Sequence, residues 1–219
     1  VGDLSSAGST GTVVITTTQG KAHDATATGG VMGVAAGQVT VANGAALKTV
    51  TVDGYSVAGS SITGANTVMD TLNLSNGGAF TTSNSAATVA LTLEKVNGLY
   101  TQTAGAATLN VKSVGANTAG LAAANTTALN VAGTGLLNAS TASSLAAVKT
   151  LTVTETAGLN LGATAMTALE SVVTTGTTGA VTVALSGAKA VYTGGAGADS
   201  VTVTDAGTAI AKVISLGGG

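Results

Sequence analysis

A chain of 219 residues with 7% charged side chains, 2% aromatics, 45% hydrophobics, 32 glycines and a net charge of −2 departs far from an average soluble domain, where roughly a quarter of residues are charged. Seven lysines without an arginine exclude the basic, Arg-forked face that nucleic acid demands, and the absence of cysteine excludes a disulfide scaffold and thiolate chemistry. What remains is rich in Ala, Val, Thr and Gly, which suits narrow repetitive β-structure filled by small inward side chains and argues against disorder.

From the start of the chain, Val1–Ser5 carries no basic and apolar leader, and no apolar run approaches the ~18 residues of a membrane helix. Residues 1–45 are the least regular. Thr12–Thr18 and Gln38–Val41 read as strands, separated by Gln19–Asp24 and an Ala/Gly-rich stretch from Thr26 to Ala36. This segment is expected to be an irregular entry coil or the end of a preceding solenoid.

Residues 46–219 are organised by one recurring apolar pattern, as in Leu47-Lys48-Thr49-Val50-Thr51-Val52, Met69-Asp70-Thr71-Leu72-Asn73-Leu74 and Val148-Lys149-Thr150-Leu151-Thr152-Val153. Its central positions, Val50, Leu72, Leu91, Leu109, Leu129, Leu151, Val172, Val191 and Val213, recur about every twenty residues. A second series falls between them at Ile62, Phe80, Tyr100, Leu121, Leu137, Leu159, Val181-Thr182-Val183 and Val201-Thr202-Val203. Alternation within each strand places apolar groups on one face and hydroxyls on the other. The pattern predicts an all-β parallel β-solenoid, a β-helix or β-roll with two short strands per coil, in which each coil buries its inner face only by stacking. The segment reads as a piece of a longer chain.

Two places compete as helix. Ser143–Val148 and Ala163–Leu169 space their apolar groups by three, and a helical or 3₁₀ turn on the outer arc is expected there. Leu145, Val148, Leu151 and Val153 also fit a leucine-rich repeat, but the second strand series and the glycine turns favour a two-sheeted solenoid.

Catalytic chemistry is nearly absent. His23 is the only histidine, and a triad built on His23-Asp24 would need neighbouring side chains to converge, so His23 reads as a solvated loop residue. Glu94, Glu155 and Glu170 have spacings that imply no carboxylate pair, and Glu94-Lys95 and Glu170 read as exposed positions beside strands. Asn73, Asn110, Asn130 and Asn160 each lie between apolar strand residues and are expected to form a stacked outer row. No enzyme activity is expected.

One stretch stands apart. Gly194–Thr202 fits the nonapeptide Gly-Gly-x-Gly-x-Asp-x-apolar-x of calcium-binding parallel β-helices. Glycines can turn carbonyls inward, and Asp199 offers the hard anionic oxygen that Ca²⁺ prefers. Val201 is expected to point into the coil, and Gly217-Gly218-Gly219 lies one coil onward, so an ion between the two turns is one expectation. A plain β-turn aspartate is the other. Asp205 is a weaker candidate on the opposite turn.

With Gly194–Asp199, the Thr/Ala/Gly/Asn-rich strands around it, and the segments Val148–Val153 and Ala168–Val172, the chain resembles bacterial surface-layer proteins of the calcium-binding repeats-in-toxin type, most clearly over residues 145–219. The resemblance implies secretion, Ca²⁺ as structural ion, and ligands at the carbonyls of Gly195 and Gly197 and the carboxylate of Asp199. Here there is one full motif where that family has tandem arrays. The expected function is a structural protein that self-assembles into a surface layer or extracellular filament on a bacterial cell. Its expected partners are copies of itself and cell-surface polysaccharide, with no nucleic acid and no membrane insertion. The alternatives are a stalk or spacer module of a large secreted adhesin and the calcium-roll appendage of a secreted hydrolase.

Overall fold

The computed structural model describes residues 4–5, 11–16, 39–42, 47–55, 59–205 and 209–219. In chain order the strands are β1 (Leu4–Ser5), β2 (Gly11–Thr16), β3 (Thr40–Ala42), β4 (Leu47–Asp53), β5 (Ser60–Asn66), β6 (Thr71–Gly77), β7 (Phe80–Asn84), β8 (Thr88–Gln102), β9 (Thr108–Val114), β10 (Thr118–Ala122), β11 (Ala128–Gly133), β12 (Leu136–Asn138), β13 (Thr150–Glu155), β14 (Gly158–Asn160), β15 (Ser171–Thr177), β16 (Val181–Leu185), β17 (Val191–Thr193), β18 (Ser200–Val203) and β19 (Ile214–Ser215). They wind into a parallel β-solenoid with about twenty residues per coil. All the strand pairs among the described residues are parallel.

Each coil contributes one strand to each of two faces. The first face runs through β2, β4, β6, β8, β9, β11, β13, β15, β17 and β19. The second runs through β1, β3, β5, β7, β8 and β10, then β12, β14, β16 and β18. Strand β8 spans 15 residues and belongs to both faces. It therefore turns the corner without leaving the hydrogen-bonded sheet. Strands β2 and β3 join β4 and β5 in these same faces. His23 and Asp24, with the rest of 17–38, lie outside the described residues.

The period of twenty follows from the inward ladders. On the first face Val50, Leu72, Leu91, Val111, Val131 and Val153 stand in one register. Val89, Leu109, Leu129, Leu151, Val172 and Tyr192 stand in the next. Nearly all of these side chains are fully buried. Burying a Val or Leu stabilises by about 1.5–3 kcal/mol, and every such group here is covered by the coils above and below.

The expected row of central positions is corrected at three places. Leu91 shares its ladder with Val111, and Leu109 belongs two residues earlier, beside Val89. In β17 the inward residue is Tyr192, paired with Val172, while Val191 pairs with Ser171. In the last coil Ile214 pairs with Tyr192, and Val213 is 70% exposed. A slip of one residue exchanges the faces of a strand, and the bulkier residue of each apolar pair takes the interior.

The two expected helical turns are single hydrogen-bonded turns. Val148 N–H donates to the Leu145 carbonyl at 3.1 Å, and Leu169 N–H to that of Met166 at 3.1 Å. Leu145, Val148, Met166 and Leu169 are buried, which accounts for their spacing of three. No helix occurs among the described residues, so none there is long and apolar enough to cross a membrane.

Polar groups inside the stack hold the corners. Asn66 Nδ2 donates to the Leu47 carbonyl at 2.9 Å, and its Oδ1 accepts from Val68 and Met69 N–H at 2.8 and 2.6 Å. One coil on, Asn84 Nδ2 donates to the Met69 carbonyl at 2.6 Å, and its Oδ1 accepts from Ala86 N–H at 2.9 Å. Gln102 Nε2 then donates to the Asn84 carbonyl at 3.0 Å. These brackets satisfy backbone groups that the corners leave without a ladder partner.

Candidate functional site

The glycine-rich turn joins β17 to β18, and its geometry is set by the preceding coil. Tyr192 and Thr174 are both fully buried. Thr174 Oγ1 donates to Asp199 Oδ2 at 3.0 Å and accepts from Gly195 N–H at 3.1 Å. The Tyr192 hydroxyl stands 3.4 Å from the same oxygen. Thr174 Oγ1 also lies 3.4 Å from the Thr193 carbonyl, a longer alternative acceptor for its hydrogen. Asp199 Oδ1 accepts from Val181 N–H at 3.1 Å. The carboxylate thus bridges β15 and β16, one strand on each face of the solenoid.

Burial pushes the Tyr192 hydroxyl well above the usual tyrosine range, and the nearby Asp199 charge adds to the rise while the Thr174 bond opposes it. Val201 is partly buried and packs against the core, in line with the anchoring expected of it.

The three expected calcium ligands lie on this turn but face the chain itself. The Gly195 carbonyl accepts from Gly218 N–H at 3.0 Å. A methyl group built on Gly217 would collide with the Gly195 carbonyl, and one built on Gly219 would collide with that of Gly197. The backbones of the two turns are therefore already in contact. Ca²⁺ needs six to eight oxygens, and among the described residues no three acidic or histidine side chains gather as ligands. The Gly195 carbonyl and the Asp199 carboxylate are thus already engaged by donors of the chain itself.

The other candidates are scattered. Asp205 accepts from Ala188 N–H at 2.8 Å, and its carboxyl lies below the usual range, held there mainly by the Ser186 hydroxyl with help from the Ala188 and Gly187 amides and Lys189. It caps the turn 186–189. Glu170 pairs with Lys149 at 3.5 Å, both side chains being more than half exposed. Glu94 lies on the outer side of β8 opposite Ser75 and Val114. Glu155 ends β13 with φ of 65°.

The expected outer row is present in part. Asn130 Nδ2 donates to Asn110 Oδ1 at 2.8 Å across adjacent rungs, while Asn73 stands in a neighbouring row and donates to Thr51 Oγ1 at 3.1 Å. Asn160 lies on the second face, where its Oδ1 accepts from Gly162 N–H at 2.9 Å. A shallow cleft of about 340 Å³ runs over this first face, lined by Ala90, Thr92, Asn110, Lys112 and Asn130. All three tyrosines and the one phenylalanine are buried, so none of these rings is available to stack on a base or a sugar.

Sequence reasoning missed Thr174 and Asn117. Asn117 is buried, accepts from Val96 N–H at 2.9 Å, and donates to the Leu93 carbonyl and Ser113 Oγ at 3.1 and 2.9 Å. Neither carries a recognisable motif, because Thr174 finds its partners one coil on and Asn117 divides its own between Ser113 nearby and Val96 and Leu93 in the coil before.

No protein-family model, no curated protein and no solved structure matches the chain.

Proposed function

We propose that this chain is a structural module that associates with copies of itself into a surface layer or extracellular filament on a bacterial cell. The observation that carries the reading is the outer face of the first sheet. Thr49, Thr71, Ala90, Asn110, Asn130 and Thr152 form one row in register, and Thr51, Asn73, Thr92, Lys112 and Ala132 form the next. Only Lys112 in these rows is charged. Repulsion between like copies is therefore small, and side chains already bonded along the rows lose little freedom on contact. Among the described residues no three acidic or histidine side chains gather, and Asp53, Asp199 and Asp205 bond within the chain, which supports architecture over chemistry.

Electron microscopy of the purified chain, with sedimentation velocity across a concentration series, tests this. Filaments or two-dimensional arrays are expected. Monomeric rods at every concentration would overturn the reading and favour a spacer within an adhesin.

A further inference from the structure

We propose that the Gly194–Val203 turn is a latch between coils that works without a metal ion, with the Thr174 hydroxyl and the Asp199 carboxylate as its working groups.

The glycines of this turn have a steric role that recurs where no aspartate is present. Gly179, Gly197 and Gly219 stack in one column, and a methyl group built on any of them would collide with the carbonyl of the residue beneath, which is Ala157, Gly179 and Gly197 in turn. The same relation holds for Gly133 over the Ser113 carbonyl and Gly135 over that of Gly115. Both pairs lie in coils before the one that holds Asp199. Close backbone contact between coils thus accounts for Gly194, Gly195 and Gly197 as it does for Gly133, Gly135 and Gly179, and the Gly-Gly-x-Gly spacing follows from it.

Asp199 has a separate task. Val181 is the first residue of β16, and its N–H has the carboxylate as acceptor at 3.1 Å. Thr174 lies within β15 and is fully buried, so its hydroxyl hydrogen needs a partner inside the protein. The carboxylate meets both needs at once. It ties the turn to the coil before it, 18 and 25 residues back along the chain. A calcium ion at this place would have to displace these donors and separate backbones that already touch.

The test uses the whole chain, stripped with EGTA and compared with the same protein in calcium chloride. Calorimetric titration with calcium and thermal unfolding in both conditions are read for the parent and for Asp199→Ala, Asp199→Asn and Thr174→Val. The latch predicts no saturable heat of binding and the same Tm in both conditions. It predicts that Asp199→Ala and Thr174→Val each lower Tm by roughly 2–4 °C per lost hydrogen bond, and that their double variant loses less than the sum because the two groups share one bond. Asp199→Asn keeps an acceptor and is expected to lose less than Asp199→Ala. Saturable calcium binding that raises the parent Tm and disappears in Asp199→Asn would overturn the proposal. If Asp199→Ala fails to fold, the parent titration and Thr174→Val still decide it.

Discussion

Oγ1 of Thr174 lies 3.4 Å from the hydroxyl of Tyr192, eighteen residues downstream, and Oγ1 of Thr82 lies 3.4 Å from the hydroxyl of Tyr100, also eighteen residues downstream. Each pair places a ring in the core of one coil and its polar end against the coil before. Replacing Tyr100 or Tyr192 by Phe keeps the ring and removes the bond, at an expected cost of about 1 kcal/mol. The urea midpoint should fall with the slope unchanged, and an unchanged midpoint for both variants would remove the pairs from the account of stability.

The same burial makes the molecule sensitive to alkali. Burial pushes the Tyr100 hydroxyl up to about 12, against a smaller opposing effect of the Thr82 bond, and burial moves Tyr55 and Tyr192 in the same direction. An unfolded tyrosine titrates near 10. Between these values the native chain keeps protons that the unfolded chain has lost, so stability falls as pH rises. The contribution is complete below about pH 10 and is lost as pH climbs through 12. Tyrosinate absorbance should appear together with unfolding. Smooth titration of all three rings near pH 10 in a folded protein would contradict this.

The correction at β19 yields a sharp comparison. Ile214 is partly buried against the core and Val213 is 70% exposed. Leu129, deep in the same ladder, is completely covered. Leu129→Ala is expected to cost about 2–5 kcal/mol, Ile214→Ala distinctly less, and Val213→Ala under about 0.5 kcal/mol. A larger loss at Val213 than at Ile214 would restore the register read from the sequence.

Two neighbouring glycines separate contact from conformation. A methyl group at Gly135 would collide with the Gly115 carbonyl, whereas Gly115 has open space around it and a φ of 64°. Gly115→Ala should cost about 1–2 kcal/mol for the left-handed backbone alone. Gly135→Ala should cost more, because the coils themselves must part, and thermal melts of the two variants would rank them.

A charge placed on the outer rows tests association apart from folding. Thr152→Lys adds a cation in the row of Asn130, on the same face as Lys112. The isolated chain should keep its melting behaviour, while assembly should weaken and recover in high salt. Assembly unaffected at low salt would take this face out of the contact.

The period, the parallel pairing and the two strands per coil were legible because alternation and turn residues repeat with little interference from charge or bulk. Register was not legible at Val191-Tyr192 or Val213-Ile214, where adjacent apolar residues leave alternation with no preference for either face. The brackets made by Asn66, Asn84 and Gln102 were hidden for a different reason. A buried asparagine at a corner has the same local sequence as a solvated one in a loop. The nonapeptide directs attention to Asp199, yet a window of nine residues holds neither Thr174 nor Val181, and those partners decide what the carboxylate does.

Strand β8 passes through the corner without a break and bonds to β6, β7, β9 and β10. In a stack whose units touch only their neighbours, winding can begin at any unit and spread, and the coil bonded continuously around its corner has the advantage. The middle coil is therefore the expected seed, with winding spreading outward from it in both directions. Amide exchange should be slowest along Thr88–Gln102 and should quicken toward either end, so that the rod frays at its tips long before its waist opens.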